Sequence, residues 1–388
     1  MNKLASIFLL LVIINLFSAC TPSQINQSLN VLTQLPTMNT EKALRLAGAQ
    51  HPAIAQVLAS EKIIHKQLVE FLNIISEKWE QKPKVASQKE YVKYLQDYKS
   101  RSIVDFEHHS VTIETIDNNY PKRTLKEAIV STLLTPYDPS DVDLHSSKAV
   151  KLGKTPFLYN LVVDQNKKPL RWEWSTNKFA SYLLKNSYKS KLIKTAKGEK
   201  TIHYVDIAMV QNALHNQAKE LAPFVNKNAT RFKLHPSLIY AIIETESSFN
   251  PYATSAIPAY GLMQIVPHSA GVDSWKFLKG KDGMPTRSYL FNEKNNIEMG
   301  SAYLHIINTK YLKAITDKRS REYCTIAAYN TGSGNVLKTF YKNDRSRAIK
   351  VINSLTPSQV YSKLRSSLPY KETRDYMKKV TEAKKRFI

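Results

Sequence analysis

Two carboxylates, Glu244 and Glu246, follow an apolar segment and are the first candidates for chemistry. Ile239, Ile242 and Ile243 have the three- and four-residue spacing of one helix face. At about 100° per residue, Glu246 falls on that face and Glu244 on the opposite, polar face. A carboxylate that ends an apolar stripe is poorly solvated when ionised, so its pKa rises toward that of a general acid. The alternative for Glu246 is an ordinary solvated carboxylate near a helix end, which describes most single Glu residues.

The helix that positions Glu246 is bounded by two prolines. Pro236 suits the first helical turn, where its missing N–H has no partner to lose. Pro251 pushes the residue before it out of the helical region, so Phe249, Asn250 and Pro251 should end the helix. Glu246 is therefore expected in the last turn.

Changes in periodicity divide the chain and predict an α+β fold. We expect a mixed α and β domain over residues 41–210 and a mostly α domain over 211–388. Residues 41–98 have helical spacing, whereas 103–116 and 201–210 alternate as strands. These predictions place the candidate acid in the helical half.

Smaller elements of the first half are also predicted from pattern. Residues 121–134 should form a helix that begins at a proline. Residues 157–175 have the pattern of a hairpin with its turn at 164–168, and 176–192 that of a basic helix. The tyrosines Tyr91, Tyr94 and Tyr98 fall at helical spacing and are more typical of packing than of a sugar platform.

Length and charge limit the class of partner. The 388 residues suffice for two domains, and a hydrophobic content of 43% favours a globular chain. Lys and Arg number 56 against 32 Asp and Glu, for a net charge of +24. Such a charge favours nucleic acid, an acidic membrane surface or an acidic cell-wall polymer, and a basic surface that serves only solubility is the alternative.

The first residues are typical of a secreted chain. Residues 1–19 combine a basic start with an apolar stretch too short for a stable spanning helix. Residues 16–20, LFSAC, resemble the bacterial lipobox, which implies cleavage before Cys20 and lipid attachment there. By the same resemblance, Thr21 favours the outer membrane, and residues 20–40 would be a tether. Plain secretion with a coincidental cysteine is the alternative.

Cys324 is the only other cysteine. With Cys20 lipidated, no intramolecular disulfide can form. The apolar sequence around Cys324 predicts a buried small side chain rather than a thiol nucleophile.

Four short motifs follow one another in the second half. They are Glu246-Ser247 with Ser255, Gly261-Leu262-Met263-Gln264-Ile265, Ala328-Tyr329-Asn330 and Glu372-Thr373-Arg374-Asp375-Tyr376. In this order they resemble the lytic transglycosylases with a goose-type lysozyme-like fold, enzymes that cut the sugar strands of peptidoglycan. The resemblance covers residues 200–388 and implies that the helical half is a lysozyme-like catalytic domain.

The resemblance also implies a role for each motif. Glu246 would be the catalytic residue, and the glycine of the second motif would let the backbone approach the sugar. The implied substrate-binding residues are Ser255 near the acid, Met263 and Gln264 facing the cleft, Tyr329 and Asn330 at the sugar, and Tyr376 beside the acid. The alternatives are packing for Tyr329, Tyr376 and Met263 and a turn for Ser255.

The implied reaction uses one carboxyl group twice. Glu246 would protonate the oxygen of the β-1,4 bond between N-acetylmuramic acid and N-acetylglucosamine. It would then act as a base on the 6-hydroxyl of the same sugar, giving a 1,6-anhydro end without water. Glycoside cleavage ordinarily needs two carboxylates. The other acids considered, Asp273, Asp282 and Glu293, lie in a segment with loop-like composition, so a single-carboxylate mechanism fits better.

Two other functions stay open. One is a hydrolytic muramidase, which needs a positioned water, and the other is a non-catalytic lipoprotein that binds peptidoglycan. No metal or organic cofactor is expected, since His108 and His109 would point to opposite faces of a strand. The expected partners are peptidoglycan strands and, through the lipid, the periplasmic side of the outer membrane. The secretion signal argues against nucleic acid.

Overall fold

The computed structural model describes residues 68, 70–79, 84–153, 155–195, 198–255 and 259–387. The predicted signal peptide over 1–19, the tether over 20–40 and Cys20 lie outside these residues. Within the described part of the chain, no helix is both long and apolar enough to cross a bilayer.

The first half is built on a five-stranded antiparallel sheet in the order β1-β2-β3-β5-β4. Its strands are β1 (Glu90–Leu95), β2 (Ser100–Asp105), β3 (Ser110–Thr115), β4 (Lys189–Thr195) and β5 (Gly198–Ala208). The other half is mostly helical, so the predicted α+β fold is confirmed.

The helix predicted to continue to Tyr98 is wrong. Residues 90–95 form β1, and Tyr98 lies in the following turn with a φ of 63°. Tyr91 and Tyr94 are both fully buried, in two different apolar clusters. A strand covered on both faces loses the alternation of polar and apolar residues, so its three-residue tyrosine spacing resembles a helix.

Three further predictions in this half need correction. The single strand over 103–116 is two strands joined by a turn at 106–109. The hairpin over 157–175 is reduced to one bridge between Val163 and Pro169. The helix predicted over 176–192 begins earlier, as α2 (Glu173–Asn186), and β4 follows it.

Helices cover both faces of the sheet. A helical stretch over 70–78 packs on one face, where the Trp79 indole donates to the Tyr98 carbonyl at 2.9 Å. The helix α1 (Pro121–Leu133) packs on the other face, as predicted for 121–134, and α2 lies against α1. This second face holds the larger apolar core of the first half.

The second half is an assembly of helices around one apolar core. Its α-helices are α3 (Ala213–Phe232), α4 (Pro236–Ser247), α5 (Val272–Lys279), α6 (Arg287–Phe291), α7 (Glu293–Ile306), α8 (Lys318–Thr331), α9 (Ser333–Phe340), α10 (Arg345–Ser354), α11 (Pro357–Ser367) and α12 (Lys371–Lys384). The sequence patterns did not predict α5, α6, α9 and α10, which are short helices of 5 to 10 residues.

The two halves share a packed interface. Tyr252 comes from the helical half, but its fully buried ring packs edge-on against Tyr91 and Phe157 of the first half, with centroids 5.0 and 5.2 Å away. Its hydroxyl donates to the Pro136 carbonyl. Because Tyr252 lies six residues after Glu246, this contact fixes the first half beside the candidate acid.

Candidate active site

Glu246 lies in the last turn of α4, as predicted. Pro236 occupies the first turn, and the helix ends when Ser248 and Phe249 take left-handed backbone with φ of 49° and 63°. Ile239, Ile242 and Ile243 are fully buried on one face. Glu244 points away and pairs with Arg386.

The environment of Glu246 raises its pKa from 4.5 to about 8. Burial is the main cause, because it removes water from the ionised form. The neighbouring Tyr376 hydroxyl opposes this rise, and it makes no hydrogen bond of its own to another described residue. The charge of Glu372 adds to the rise in pKa, and the charge of Lys89 opposes it. A carboxyl that holds its proton at neutral pH is suited to general acid chemistry.

Two tyrosines of the later motifs come close to Glu246. Burial raises the pKa of Tyr376 and Tyr329 well above 10, and the Glu246 carboxylate adds to both shifts. The Tyr329 hydroxyl donates to the Met263 carbonyl at 2.8 Å. The structure thus brings α8 and α12 beside the Glu246 carboxyl of α4, and Tyr329 of α8 also contacts the turn at 261–265.

Gly261 allows a close approach between the turn at 261–265 and Asn296. Its φ is +74°, and a Cβ built there would lie 2.4 Å from the Asn296 amide nitrogen and 2.5 Å from the Leu290 carbonyl oxygen. The close approach at Gly261 is therefore to the Asn296 side chain and the Leu290 carbonyl. The Asn296 side chain accepts from the Met263 N–H at 2.7 Å and donates to the Tyr260 and Leu290 carbonyls. Asn296 thus holds both ends of the segment from Tyr260 to Met263. No sequence pattern predicted this role.

Met263 does not face the cleft as expected, because its side chain is fully buried and packs over Gly300. Gln264 follows with a φ of 47° and is 7% exposed. Its amide nitrogen donates to the Gly261 carbonyl at 2.9 Å, and its amide oxygen has no hydrogen-bond partner among the described residues. A buried acceptor of this kind is unusual and is available to a donor from a ligand.

Asn330 and Ser255 are both partly exposed. The Asn330 amide oxygen accepts from the Thr373 hydroxyl at 2.7 Å, which leaves its amide N–H donors for other acceptors. Thr373 lies on α12, three residues before Tyr376, so the third and fourth motifs are joined directly. Ser255 follows the same segment as Tyr252, and its N–H donates to the Ala259 carbonyl at 3.3 Å.

Each carboxylate first considered as a second acid or base has another contact. Asp273 accepts from the Tyr311 hydroxyl at 2.7 Å, and Asp282 pairs with Lys276 at 2.9 Å. Glu293 interacts with Tyr137 of the first half. Asp273 and Glu293 lie on helices, although the sequence suggested a loop.

Two charged residues near Glu246 had no predicted role. Glu372 is an exposed carboxylate on α12 that destabilises a negative charge on Glu246. Lys89 belongs to the first half and also pairs with Glu107 at the start of the β2–β3 turn. Lys89 is fixed there because the Asn250 amide donates to the Gln88 carbonyl at 3.2 Å.

Neither a metal site nor a reactive cysteine is found among the described residues. Among the described residues, no group of three His, Cys, Asp or Glu side chains is placed to hold a metal ion. Cys324 is fully buried in the helical core, and burial raises the pKa of its thiol to about 12, which fits the predicted packing role.

Comparisons with known proteins match both halves of the chain. Residues 56–220 match the family model for the N-terminal domain of membrane-bound lytic murein transglycosylase C, and residues 223–352 match the transglycosylase SLT domain. The chain is 44% identical over 304 residues to the membrane-bound lytic murein transglycosylase C of Yersinia pestis strain Pestoides F. The match covers 78% of this chain and 83% of that protein.

One further relative matches the chain equally well, and a solved structure matches it less closely. The membrane-bound lytic murein transglycosylase C of Yersinia pseudotuberculosis serotype O:1b has the same identity and coverage. Among solved structures, an inactive variant of the lytic transglycosylase Slt from Pseudomonas aeruginosa is 26% identical, with a TM-score of 0.32. That match covers 44% of this chain and 26% of the other.

Proposed function

This chain belongs to the membrane-bound lytic murein transglycosylase C family, and from that premise we propose that Glu246 is its catalytic acid and base. The chain is a peptidoglycan lytic transglycosylase. The observation that carries the assignment is the place of Glu246 in the last turn of α4, where it is partly exposed and lies close to the buried Tyr329 and Tyr376. Burial there raises its pKa to about 8, which favours the protonated carboxyl at neutral pH.

The reaction uses the Glu246 carboxyl group twice, first as an acid and then as a base. In the first step the carboxyl gives its proton to the glycosidic oxygen, and the bond between that oxygen and the anomeric carbon of N-acetylmuramic acid breaks. In the second step the Glu246 carboxylate takes the proton of the 6-hydroxyl, whose oxygen bonds to the anomeric carbon. The carboxyl is thereby restored, and no water is consumed.

The Tyr376 hydroxyl supports both steps from one position. Its hydroxyl has no hydrogen-bond partner among the described residues and lies close enough to Glu246 to lower the pKa of that carboxyl, so it is available to donate to the carboxylate that exists between the two proton transfers. Burial of the Tyr376 side chain raises its own pKa well above 10, so the hydroxyl keeps its proton. We assign Tyr376 to this role.

Other residues of the four motifs are suited to binding sugar. We assign the Gln264 amide oxygen to a donor of the substrate, because it has no partner among the described residues. The Asn330 amide and Ser255 are partly exposed and belong to the same set. Tyr329 is assigned an indirect role, since its hydroxyl is engaged by the Met263 carbonyl and fixes the turn that carries Gln264.

The family name describes membrane-bound proteins, and this chain is membrane-associated on that ground. We propose that the attachment is a lipid on Cys20 and that the enzyme faces the periplasm from the outer membrane. The LFSAC sequence at 16–20 and Thr21 support this assignment. We place the division between the domains at residues 210 and 211, which is supported by the end of β5 at Ala208 and the start of α3 at Ala213.

Release of soluble muropeptides from purified sacculi tests the assignment of Glu246. Wild-type protein should release them, and Glu246→Gln should reduce release by at least ~10²-fold, the range that general acid catalysis contributes. Glu244→Gln, on the opposite face of α4, is the matched control and should retain activity. Undiminished release by Glu246→Gln would refute the assignment, and binding without release by the wild type would favour a non-catalytic lipoprotein.

Hydrolysis is the second candidate, because Glu372 places a carboxylate near Glu246. A hydrolytic muramidase would use that group to activate a water molecule. Glu372→Gln separates the two reactions, since it should abolish hydrolysis and leave the 1,6-anhydro product of transglycosylation.

A further inference from the structure

Two tryptophans at the start of α2 are unusually exposed. Trp172 precedes the helix and is 59% exposed, and Trp174 in its first turn is 65% exposed. The other tryptophans differ, because Trp79 is fully buried and Trp275 packs against the helical core. Indoles carry a large apolar surface, so two exposed rings in one helical turn indicate a surface that contacts something else.

Cations surround these two rings. The Arg171 guanidinium lies 5.4 Å from the Trp172 ring centroid, and the Lys178 ammonium lies 5.1 Å from that of Trp174. Lys178 and Lys185 are exposed and follow Trp174 by four and eleven residues, so all three share one helix face. From residue 171 to residue 189 the only acidic residue is Glu173.

The opposite face of α2 is fixed in the core. Phe179, Ala180 and Leu183 are buried against the sheet domain, at 5%, 0% and 5% exposure. Tyr182, between the two faces, is 42% exposed. The helix is therefore held in place by one side, and its other side presents aromatic rings and cations to the exterior.

We propose that this outward surface, made of Arg171, Trp172, Trp174, Lys178 and Lys185, docks on an anionic phospholipid bilayer. Tryptophan prefers the boundary between headgroups and acyl chains, and long basic side chains lie beside it with their charges in the headgroups. Clustered Lys and Arg side chains attract anionic lipids. The chain's net charge of +24 acts in the same direction.

The ring faces argue for lipid over glycan as the occupant. A sugar binds an indole by stacking flat on its face, and here a cation covers one of the two faces of each ring, which reduces the area open to a sugar. At a bilayer the same arrangement is favourable, since the ring edge enters the acyl boundary while the cation contacts phosphate.

This inference rests on the proposed lipid at Cys20, which would bring the first domain near a membrane. Several acyl chains already hold a protein firmly. Docking by α2 would therefore orient the enzyme at the membrane rather than retain it, and the interface through Tyr252 would transmit that orientation to the helical domain.

Fluorescence quenching of the intact lipidated protein in vesicles tests the docking surface. Vesicles of phosphatidylethanolamine and phosphatidylglycerol with brominated acyl chains should quench tryptophan emission. The Trp172→Phe/Trp174→Phe double variant should lose that quenching, whereas Trp275→Phe should keep it. Flotation with the vesicles reports the lipid anchor separately, so failure of the anchor and failure of the surface are distinguishable.

Lysine substitutions test whether the positive charge of this surface contributes to docking. Lys178→Ala/Lys185→Ala should weaken docking about 30-fold, since each lysine contributes about 1 kcal/mol at an anionic surface. Lys313→Ala/Lys338→Ala, on exposed lysines of the helical half, should have no effect on quenching. The proposal is overturned if quenching is absent, if it is equal in the Trp172→Phe/Trp174→Phe variant, or if soluble glycan strands and not vesicles change the emission of these two tryptophans.

Discussion

The raised pKa of Glu246 predicts a stability that depends on pH, and Glu246→Gln isolates it. In the unfolded chain the carboxyl loses its proton near 4.5, whereas in the folded protein it keeps the proton up to about 8. Between these values the unfolded state binds fewer protons, so the wild type loses stability as the pH rises. At about 1.36 kcal/mol per pKa unit, the loss approaches about 5 kcal/mol above pH 8. Gln does not titrate, so Glu246→Gln should avoid this loss.

Urea unfolding at pH 5 and at pH 9 measures the effect. We expect the free energy of unfolding of Glu246→Gln to exceed that of the wild type at pH 9 by several kcal/mol more than at pH 5. Glu244→Gln is the control, because Glu244 lies on the same helix but pairs with Arg386 at the surface. An equal difference between Glu246→Gln and wild type at both pH values would refute the argument that burial holds the proton on Glu246.

Three further predictions concern the surroundings of the site. Lys89→Met should move the alkaline limb of the activity profile to higher pH and Glu372→Gln to lower pH, because Lys89 lowers and Glu372 raises the pKa of Glu246; a pH–rate series checks both directions. Tyr252→Ala should cost about 3–5 kcal/mol in urea unfolding by emptying the interface between the domains, and Tyr252→Phe less. Gly261→Ala should cost about 1–3 kcal/mol and lower activity, since its Cβ would displace the Asn296 amide; thermal unfolding and sacculus digestion measure the two effects.

The position of Glu246 could be predicted from sequence because it depends on local periodicity. The isoleucines of α4 and the flanking prolines define one helix and one face, and the structure reproduces both. The raised pKa follows from the same pattern, since burial is its main cause. Because these residues lie close to Glu246 in the sequence, its position can be predicted without knowing which distant residues contact it.

The contacts that complete the site depend on the three-dimensional fold, and sequence patterns could not predict them. Lys89 is far from Glu246 in the chain and reaches it because Tyr252 and Asn250 join the two halves. Asn296 lies on α7, a helix that the periodicity predicted, and its side chain holds the turn at 261–265. No sequence pattern indicated that role for Asn296. Met263 was expected in the cleft because its motif lies there, yet its side chain packs inward on Gly300.

The mistaken helix over 90–98 has a physical reason of the same kind. A strand covered on both faces carries apolar residues at successive positions, so tertiary burial removes the alternation that identifies a strand. The lysine-rich edge strand β4 was assigned to a helix because exposed residues on both faces remove the alternation too.

The mass of the soluble products most directly tests the claim that one carboxyl group, Glu246, works without water. The purified lipid-free protein should be incubated with sacculi, and the released muropeptides measured by mass spectrometry for wild type and for Glu246→Gln. The wild type should release 1,6-anhydro muropeptides, which are one water lighter than reducing-end products, and Glu246→Gln should not release them. Reducing-end products from the wild type would contradict this claim, because they require an activated water and a second catalytic group.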